Sequence, residues 1–241
     1  MAKESGLNVR LYVEGYDLSG DANSLGSLGY TNSLYDITTL DVSGTKRLLG
    51  PVDGSIDVNG YFDNASGRIH PVFTSNSGSL PTADQVVLVP LGSAVGDPSI
   101  GLVAKEGNYD TERGDSAITV MSTFHGNGYA PEFGEMLTAH DDTHSSAGSG
   151  TVVDSGASSS NGGSGYLQVL SVASGSVTVN LQESTSSGGS YSNFMTFSTV
   201  AAAAAPAAER VTMEGTVQRY IKVTTTGTFS NAQIVVGFSR S

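Results

Sequence analysis

The sequence predicts an all-β protein with one short helix: an N-terminal β-barrel or sandwich, then an antiparallel β-sandwich of the immunoglobulin-like or jelly-roll kind. Three observations predict it. Apolar residues recur at every second position in several short runs, as in strands with one buried face. Glycine makes up 31 of 241 residues, aromatics are only 7% and Trp is absent, a composition for short strands and tight turns rather than helix bundles. The charge also divides along the chain. Residues 1–145 carry 7 Lys and Arg against 19 Asp and Glu, the whole of the net −12, whereas 146–241 carry 4 of each kind.

That charge step sets two domains, an acidic one at 1–145 and a neutral one at 146–241, each long enough to bury a core. In the first, "GLNVRLYVEG" alternates Leu7, Val9, Leu11 and Val13 against Asn8, Arg10, Tyr12 and Glu14. "DGSIDVNGYFD" sets Ile56, Val58, Gly60 and Phe62 on one face and Ser55, Asp57, Asn59 and Tyr61 on the other. "QVVLVPLG" ends a strand near Pro90, which cannot donate to a ladder. "SIGLVAKEGNY", "DSAITVMSTFHGNG" and "PEFGEMLTA" complete the set. Only "NASGRIHPVFTSN" (64–76) has helical spacing, through Ile69, Val72 and Phe73, with Asn64 as the expected cap and Pro71 limiting its regularity. The stretch 26–50 reads either as an ordinary hairpin or as a contact loop. Lys46 and Arg47 stand beside Leu48 and Leu49 in an acidic domain, a combination suited to a subunit contact.

The second domain begins after a Ser/Gly-rich seam at 142–150, read as a flexible linker. "SVTVNLQES" alternates Val177, Val179 and Leu181 against Ser176, Thr178, Asn180 and Gln182. "QRYIKVTTTG" alternates Arg219, Ile221 and Val223 against Tyr220, Lys222 and Thr224. "AAAAAPAA" (201–208), broken by Pro206, reads as a connecting loop.

The chemistry of enzymes is hard to find. There is no Cys, so no disulfide, thiolate ligand or thiol nucleophile. No GxSxG elbow, P-loop or GxGxxG opening a helix occurs. His140 and His144 have the i, i+4 spacing of a zinc helix, with Asp141 and Asp142 between them. They run into Ser/Gly coil, however, and a solvated linker is the better reading. "YDLSGD" spaces Asp17 and Asp21 like part of a calcium loop, but Leu28 stands where the closing Glu is needed, so an Asp-capped turn is expected. "NYDTERGD" (108–115) reads as a charged turn. No catalytic residue, metal or cofactor is expected. An acidic field of this size repels phosphates, which argues against nucleic-acid binding. The N-terminus has no apolar secretory core and no run is long enough to span a bilayer, so membrane insertion is not expected.

Several phrases together resemble a known family. "SGLNVRLYVEGYDLSGD", "GRIHPVFTSNSGSLPTADQVVLVP" and "AKEGNYDTERGDSAITVMSTFHGNGYAPEFGEMLT" look like the major tail tube proteins of long-tailed (siphovirus-type) bacteriophages. "GYLQVLSVASGSVTVNLQES" and "GTVQRYIKVTTTGTF" look like the β-sandwich that follows the tube domain in some of them. The resemblance spans nearly the whole chain as texture and short phrases, without one diagnostic signature. It implies a virion protein of the tail, made in the host cytoplasm. Its subunits would form rings, usually hexameric, that stack into the tube through which DNA is delivered. Partners would be further copies and other tail proteins (tape measure, terminator, distal tail). The sandwich would project outward, with a weak host-surface glycan contact in some relatives.

On that reading DNA passes through the lumen without specific binding, and Ser55, Asp57 and Asn59 are the candidate lumen-facing residues. Lys46, Arg47, Leu48 and Leu49 are the candidate loop between subunits or rings. Tyr166, Tyr191 and Tyr220 are the aromatics available for a glycan. The alternatives are a capsid decoration or other tail protein, and a carbohydrate-binding adhesin acting through the sandwich.

Overall fold

The computed structural model describes residues 6, 8–75, 77–140 and 142–241. Leu7 of the expected first strand, Asn76 at the end of the expected helix and Asp141 of the histidine cluster lie outside the described residues.

The protein is all-β with one short helix. β1 (Tyr12–Val13) and β2 (Tyr16–Asp17) form a small hairpin turned by Glu14 and Gly15, both at positive φ (52° and 81°). Two such residues are what the twist of a tight hairpin requires. β3 (Ala22–Asp36) and β4 (Arg47–Tyr61) pair antiparallel along most of their 15 residues each. Helix α1 (Ile69–Phe73), β5 (Gln85–Pro90), β6 (Pro98–Arg113), β7 (Ile118–Gly126) and β8 (Glu132–Met136) follow. In the first half the strands neighbour in the order β3-β4-β7-β6-β5-β1-β2. They share one apolar interior with α1, built from Leu11, Ile56, Val58, Phe73, Leu102 and Phe124 among others.

The second half comprises β9 (Thr143–His144), β10 (Gly148–Asp154), β11 (Gly163–Ser184), β12 (Ser192–Thr196), β13 (Val200–Ala201), a single 3-10 turn at Ala202–Ala204, β14 (Ala207–Met213), β15 (Tyr220–Thr226) and β16 (Phe229–Arg240). The first part of β11 pairs with β14 and β16, and its last part with β12 and β15. One strand therefore serves both layers of a sandwich. Val177, Val179 and Leu181 are buried between the layers, as their alternation predicts, with Ile221 and Val223 facing them from β15. Arg219, expected to share that inward face, precedes β15 and is exposed.

Three expectations are corrected. The helix spans five residues, and Asn64 does not cap it. The buried carboxylate of Asp21 does so instead, accepting from the Ile69 amide at 3.1 Å and standing 3.6 Å from Arg68. Pro71 is tolerated because it falls in the first turn, where amides have no helical partner. Tyr12 is not on an outer face: it is fully buried with Leu88, Met136, Tyr166 and Val235. β1 and β5 are covered on both faces, by the first core on one side and by the second half on the other.

The third correction follows from this. The segment 142–150 is not a free linker, because β9 and the start of β10 occupy it. β16 pairs with β9 (Ala232 with His144) and with β8 (Gly237 with Met136, Phe238 with Glu135), and β8 pairs with β6. The sheet runs without a break from one half into the other.

Candidate assembly surfaces

Ser55, Asp57 and Asn59 lie on one half-buried face of β4, while Ile56, Val58 and Gly60 between them are buried. Their neighbours on β7 are His125, Thr123 and Met121, and beyond these on β6 stand Lys105, Asn108 and Asp110. Three strands thus present a largely polar surface opposite the core. Phe62, expected to point inward, is past the end of β4. It is partly exposed and stacks on the His70 ring, 4.6 Å between centroids.

The same two strands extend past the sheet. β7 pairs with β4 only from Ser55 to Tyr61, so β3 and β4 continue alone as a two-stranded arm. Leu34 faces Leu49 across it, Tyr35 faces Leu48 and Asp36 faces Arg47. The stretch 26–50 is therefore a β-hairpin. Ile37 donates to the Lys46 carbonyl at 3.0 Å, and Thr38 Oγ1 accepts from the Lys46 amide at 2.9 Å, which closes the end of the arm. The Tyr35 ring crosses Gly50 closely: a Cβ there would sit 2.4 Å from a ring carbon, so any larger residue would have to displace this exposed ring. Leu34, Tyr35, Ile37, Leu40, Leu48 and Leu49 are all at least half exposed. Successive pairs point to opposite faces, so Leu34 with Leu49 and Tyr35 with Leu48 expose apolar side chains on both sides of the ribbon, and an isolated two-stranded ribbon is marginal in water.

At the other end of the sheet, β6 and β7 close through residues 114–117, where Gly114 donates to the Ala117 carbonyl at 2.9 Å. Of the acids expected in a charged turn at 108–115, Asp115 does sit in this closure, whereas Asp110 and Glu112 are on β6 itself, exposed.

Two sets of side chains could not be located from sequence. Glu132 on β8 accepts from both Arg210 on β14 (Nε 3.0 Å, Nη2 2.8 Å) and Ser164 on β11 (2.9 Å), and also from the Tyr166 hydroxyl. Burial and the adjacent Glu132 charge push the Tyr166 phenol well above its ordinary range. The Arg210 guanidinium also lies 3.9 Å from the centre of the Tyr129 ring. A carboxylate, a guanidinium and two hydroxyls so joined fasten the halves together. Glu106 on β6 is buried, with Ser122 donating to Oε1 at 2.8 Å while Oε2 has no partner among the described residues. Desolvation pushes its carboxyl up to about 8. Tyr109, itself raised to about 12 by burial and by Glu106, bonds His70 Nδ1 at 2.9 Å. Nothing in the local alternation distinguishes these residues from solvated ones.

Tyr166 is 1% exposed and cannot offer a ring face to a glycan. Tyr191 and Tyr220 are half-buried at the surface of the second half. Each already carries a cation, Lys222 Nζ 4.2 Å from the Tyr191 centroid and Arg219 Cζ 5.0 Å from that of Tyr220. Arg219 also chelates Asp154 through bonds of 2.6 and 2.7 Å, which holds that carboxyl down at about 2. His140 and His144 are not on a helix. The His140 carbonyl accepts from the Tyr12 hydroxyl at 2.9 Å, while His144 in β9 stands 3.3 Å from Asp142. Among the described residues no group of three or more His, Cys, Asp or Glu is placed to hold a metal ion. Asp17 accepts from the Ser19 amide at 3.0 Å, the expected Asp-capped turn. No helix among the described residues is long and apolar enough to cross a membrane.

No known protein family matches the sequence, and no curated protein matches it. Solved structures give partial similarities. One is a chain from the tail of an empty GTA particle, obtained by helical refinement with C6 symmetry (TM-score 0.39, 15% identity, 54% of this chain and 97% of that one). Another is the SPP1 Dit (gp 19.1) protein, described as a paradigm of the hub adsorption apparatus in phages infecting Gram-positive bacteria (TM-score 0.37, 10% identity, 96% and 98%). A third is a chain of the virion of the native gene transfer agent particle (TM-score 0.38, 13% identity, 53% and 97%).

Proposed function

We propose that this chain is a structural subunit of a phage-type tail. Its first half contributes to the wall of a ring, rings stack into a tube, and the second half stands on the outside. The observation that carries the reading is the β3–β4 arm, which exposes Leu34, Tyr35, Leu48 and Leu49 on a ribbon with no second layer of its own. Such an arm belongs to a chain that works in contact with others. The acidic balance of residues 1–145 and the polar face of Ser55, Asp57 and Asn59 suit a wall that DNA slides past without adhering. The resemblance of the sequence phrases to tail tube proteins agrees with both. Ring number and the identity of other tail partners belong to this proposal as well.

Electron microscopy of the purified protein at high concentration, with static light scattering, tests it. Rings or stacked tubes are expected. A persistent monomer would overturn the reading. Binding on a glycan array, abolished by Tyr191→Ala or Tyr220→Ala, would favour the carbohydrate-binding alternative.

A further inference from the structure

An Asn followed by Gly can modify its own backbone, because glycine has no side chain to hinder attack of its amide nitrogen on the carboxamide before it. The sequence has three such pairs, Asn59-Gly60, Asn127-Gly128 and Asn161-Gly162. We propose that, of the three, Asn127 is the site of spontaneous conversion to aspartate and isoaspartate in the folded protein.

Ring closure needs the side chain to swing until its Cγ meets the next nitrogen, and the backbone there must give. Asn59 and Gly60 lie within β4, paired with β3 on one side and β7 on the other. A Cβ on Gly60 would stand 2.7 Å from the Asp21 carbonyl oxygen and 2.8 Å from Ile69, so this backbone turns only if the sheet opens. Asn161 is exposed, but Gly162 after it is buried. A Cβ on Gly162 would stand 2.0 Å from the Met213 carbonyl oxygen, and its own carbonyl accepts from the Ser241 amide at 3.1 Å.

Asn127 and Gly128 are both exposed in the turn after β7. Gly128 has φ 80°, and nothing lies within 4 Å of where its Cβ would be. Among the described residues its amide is in no hydrogen bond. The Asn127 side chain is held by one bond, from Nδ2 to Asp84 at 2.8 Å, and an exposed bond of this kind is weak.

The steps balance. Hydroxide takes the Gly128 amide proton, and the nitrogen bonds to Cγ of Asn127. The Cγ–Nδ2 bond breaks, and Nδ2 takes up a proton and leaves as ammonia. One water then opens the cyclic imide at either carbonyl. The product carries a carboxylate where an amide donated to Asp84, and isoaspartate also lengthens the backbone of this turn. The turn holds Tyr129, whose ring centre lies 3.9 Å from the Arg210 guanidinium of the clasp between the halves. Conversion therefore loosens that clasp.

The test holds the purified full-length chain at mildly alkaline pH and follows each site by digestion and mass spectrometry, with isoaspartate told from aspartate by electron-transfer fragmentation. Synthetic peptides spanning each pair give the unrestrained rates. Asn127 should convert within about tenfold of its peptide, and Asn59 and Asn161 at least about a hundredfold slower than theirs, since they wait for local opening. Asn127→Gln, shown to be folded by near-ultraviolet circular dichroism, should show no conversion at that position. Conversion first at Asn59 or Asn161, or an Asn127 as slow as either, would overturn the proposal. The converted form, separated by ion exchange, should melt below the fresh protein. Equal midpoints would overturn the link to the clasp.

Discussion

Glu132 and Arg210 meet side by side, with Nε and Nη2 of the arginine 3.0 and 2.8 Å from the two carboxylate oxygens. Seventy-eight residues separate them in sequence, one on the last strand of the acidic half and the other on β14. Arg210 is nearly buried, its side chain only 8% exposed. Arg210→Ala should strand Glu132 and Tyr166 without a cation and cost about 3 kcal/mol, the low end for breaking a buried pair. For a chain of this size that lowers the melting midpoint by roughly 6–12 °C. Combining Arg210→Met with Glu132→Gln should cost less than the sum of the single changes, since neither leaves a charge alone. Thermal unfolding of the wild type, the three single variants and the double variant measures both effects.

Glu106 gives stability a pH dependence. The folded protein keeps its proton up to about 8, while an unfolded chain releases it near the ordinary Glu value of about 4.3. The folded state therefore binds the extra proton between those limits. Its stability falls as pH rises through that window and levels above pH 8, with a slope of up to about 1.4 kcal/mol per unit. Glu106→Gln should remove the slope, so that the variant is more stable than wild type at pH 8 and the two converge near pH 4. Denaturant unfolding at several pH values follows the difference, which cancels the titration of every other group.

The arm should matter to assembly and little to folding. Leu48 and Leu49 are 56% and 67% exposed, so Leu48→Ser with Leu49→Ser should leave unfolding of the dispersed protein within about 0.5 kcal/mol. Light scattering should show the same variant losing higher assemblies.

The polar face of β4 can be tested by inverting its charge. Ser55, Asp57 and Asn59 are half-buried between strands and bear outward, so Asp57→Lys with Asn59→Lys should be tolerated. The assembled variant should then retain DNA at low salt and release it as salt rises, where the wild type retains none. Equal DNA retention by the two would mean that this face is not the one DNA passes.

His140→Ala with His144→Ala should change no metal content, measured by plasma emission on the purified protein, because His144 has Asp142 for a neighbour and His140 is tied to Tyr12 through its backbone.

Alternation made much of the fold legible. Ile56 and Val58, Val177 to Leu181, and the strand end at Pro90 are where the period of two puts them. It failed where a strand is covered on both faces, as with Tyr12, since the pattern assumes one wet side. It failed also where the partner is remote: the cap of α1 is Asp21 rather than Asn64, and no local signal connects residues 48 apart. Ser/Gly richness at 142–150 read as slack, yet Gly148 and Ser149 pair with Thr225 and Thr224 of β15, where small side chains fit. The arm was visible as an odd cluster at Lys46 to Leu49, but its length and exposure depend on where β7 stops pairing. The clasp at Glu132 was invisible because a charged residue in a strand looks solvated until its partner is in place.

At Gly101 a Cβ would come within 2.4 Å of the Tyr166 ring, so that ring of β11 packs directly on the β6 backbone. β11 is also paired with β16 over 11 residue pairs, and β16 is bonded to β8. A pull on the second half along these strands would load that ladder in shear, spreading the force over all its bonds at once rather than peeling them singly. The second half is thus joined to the first by a continuous ladder, and displacing one would strain the bonds that hold it to the other.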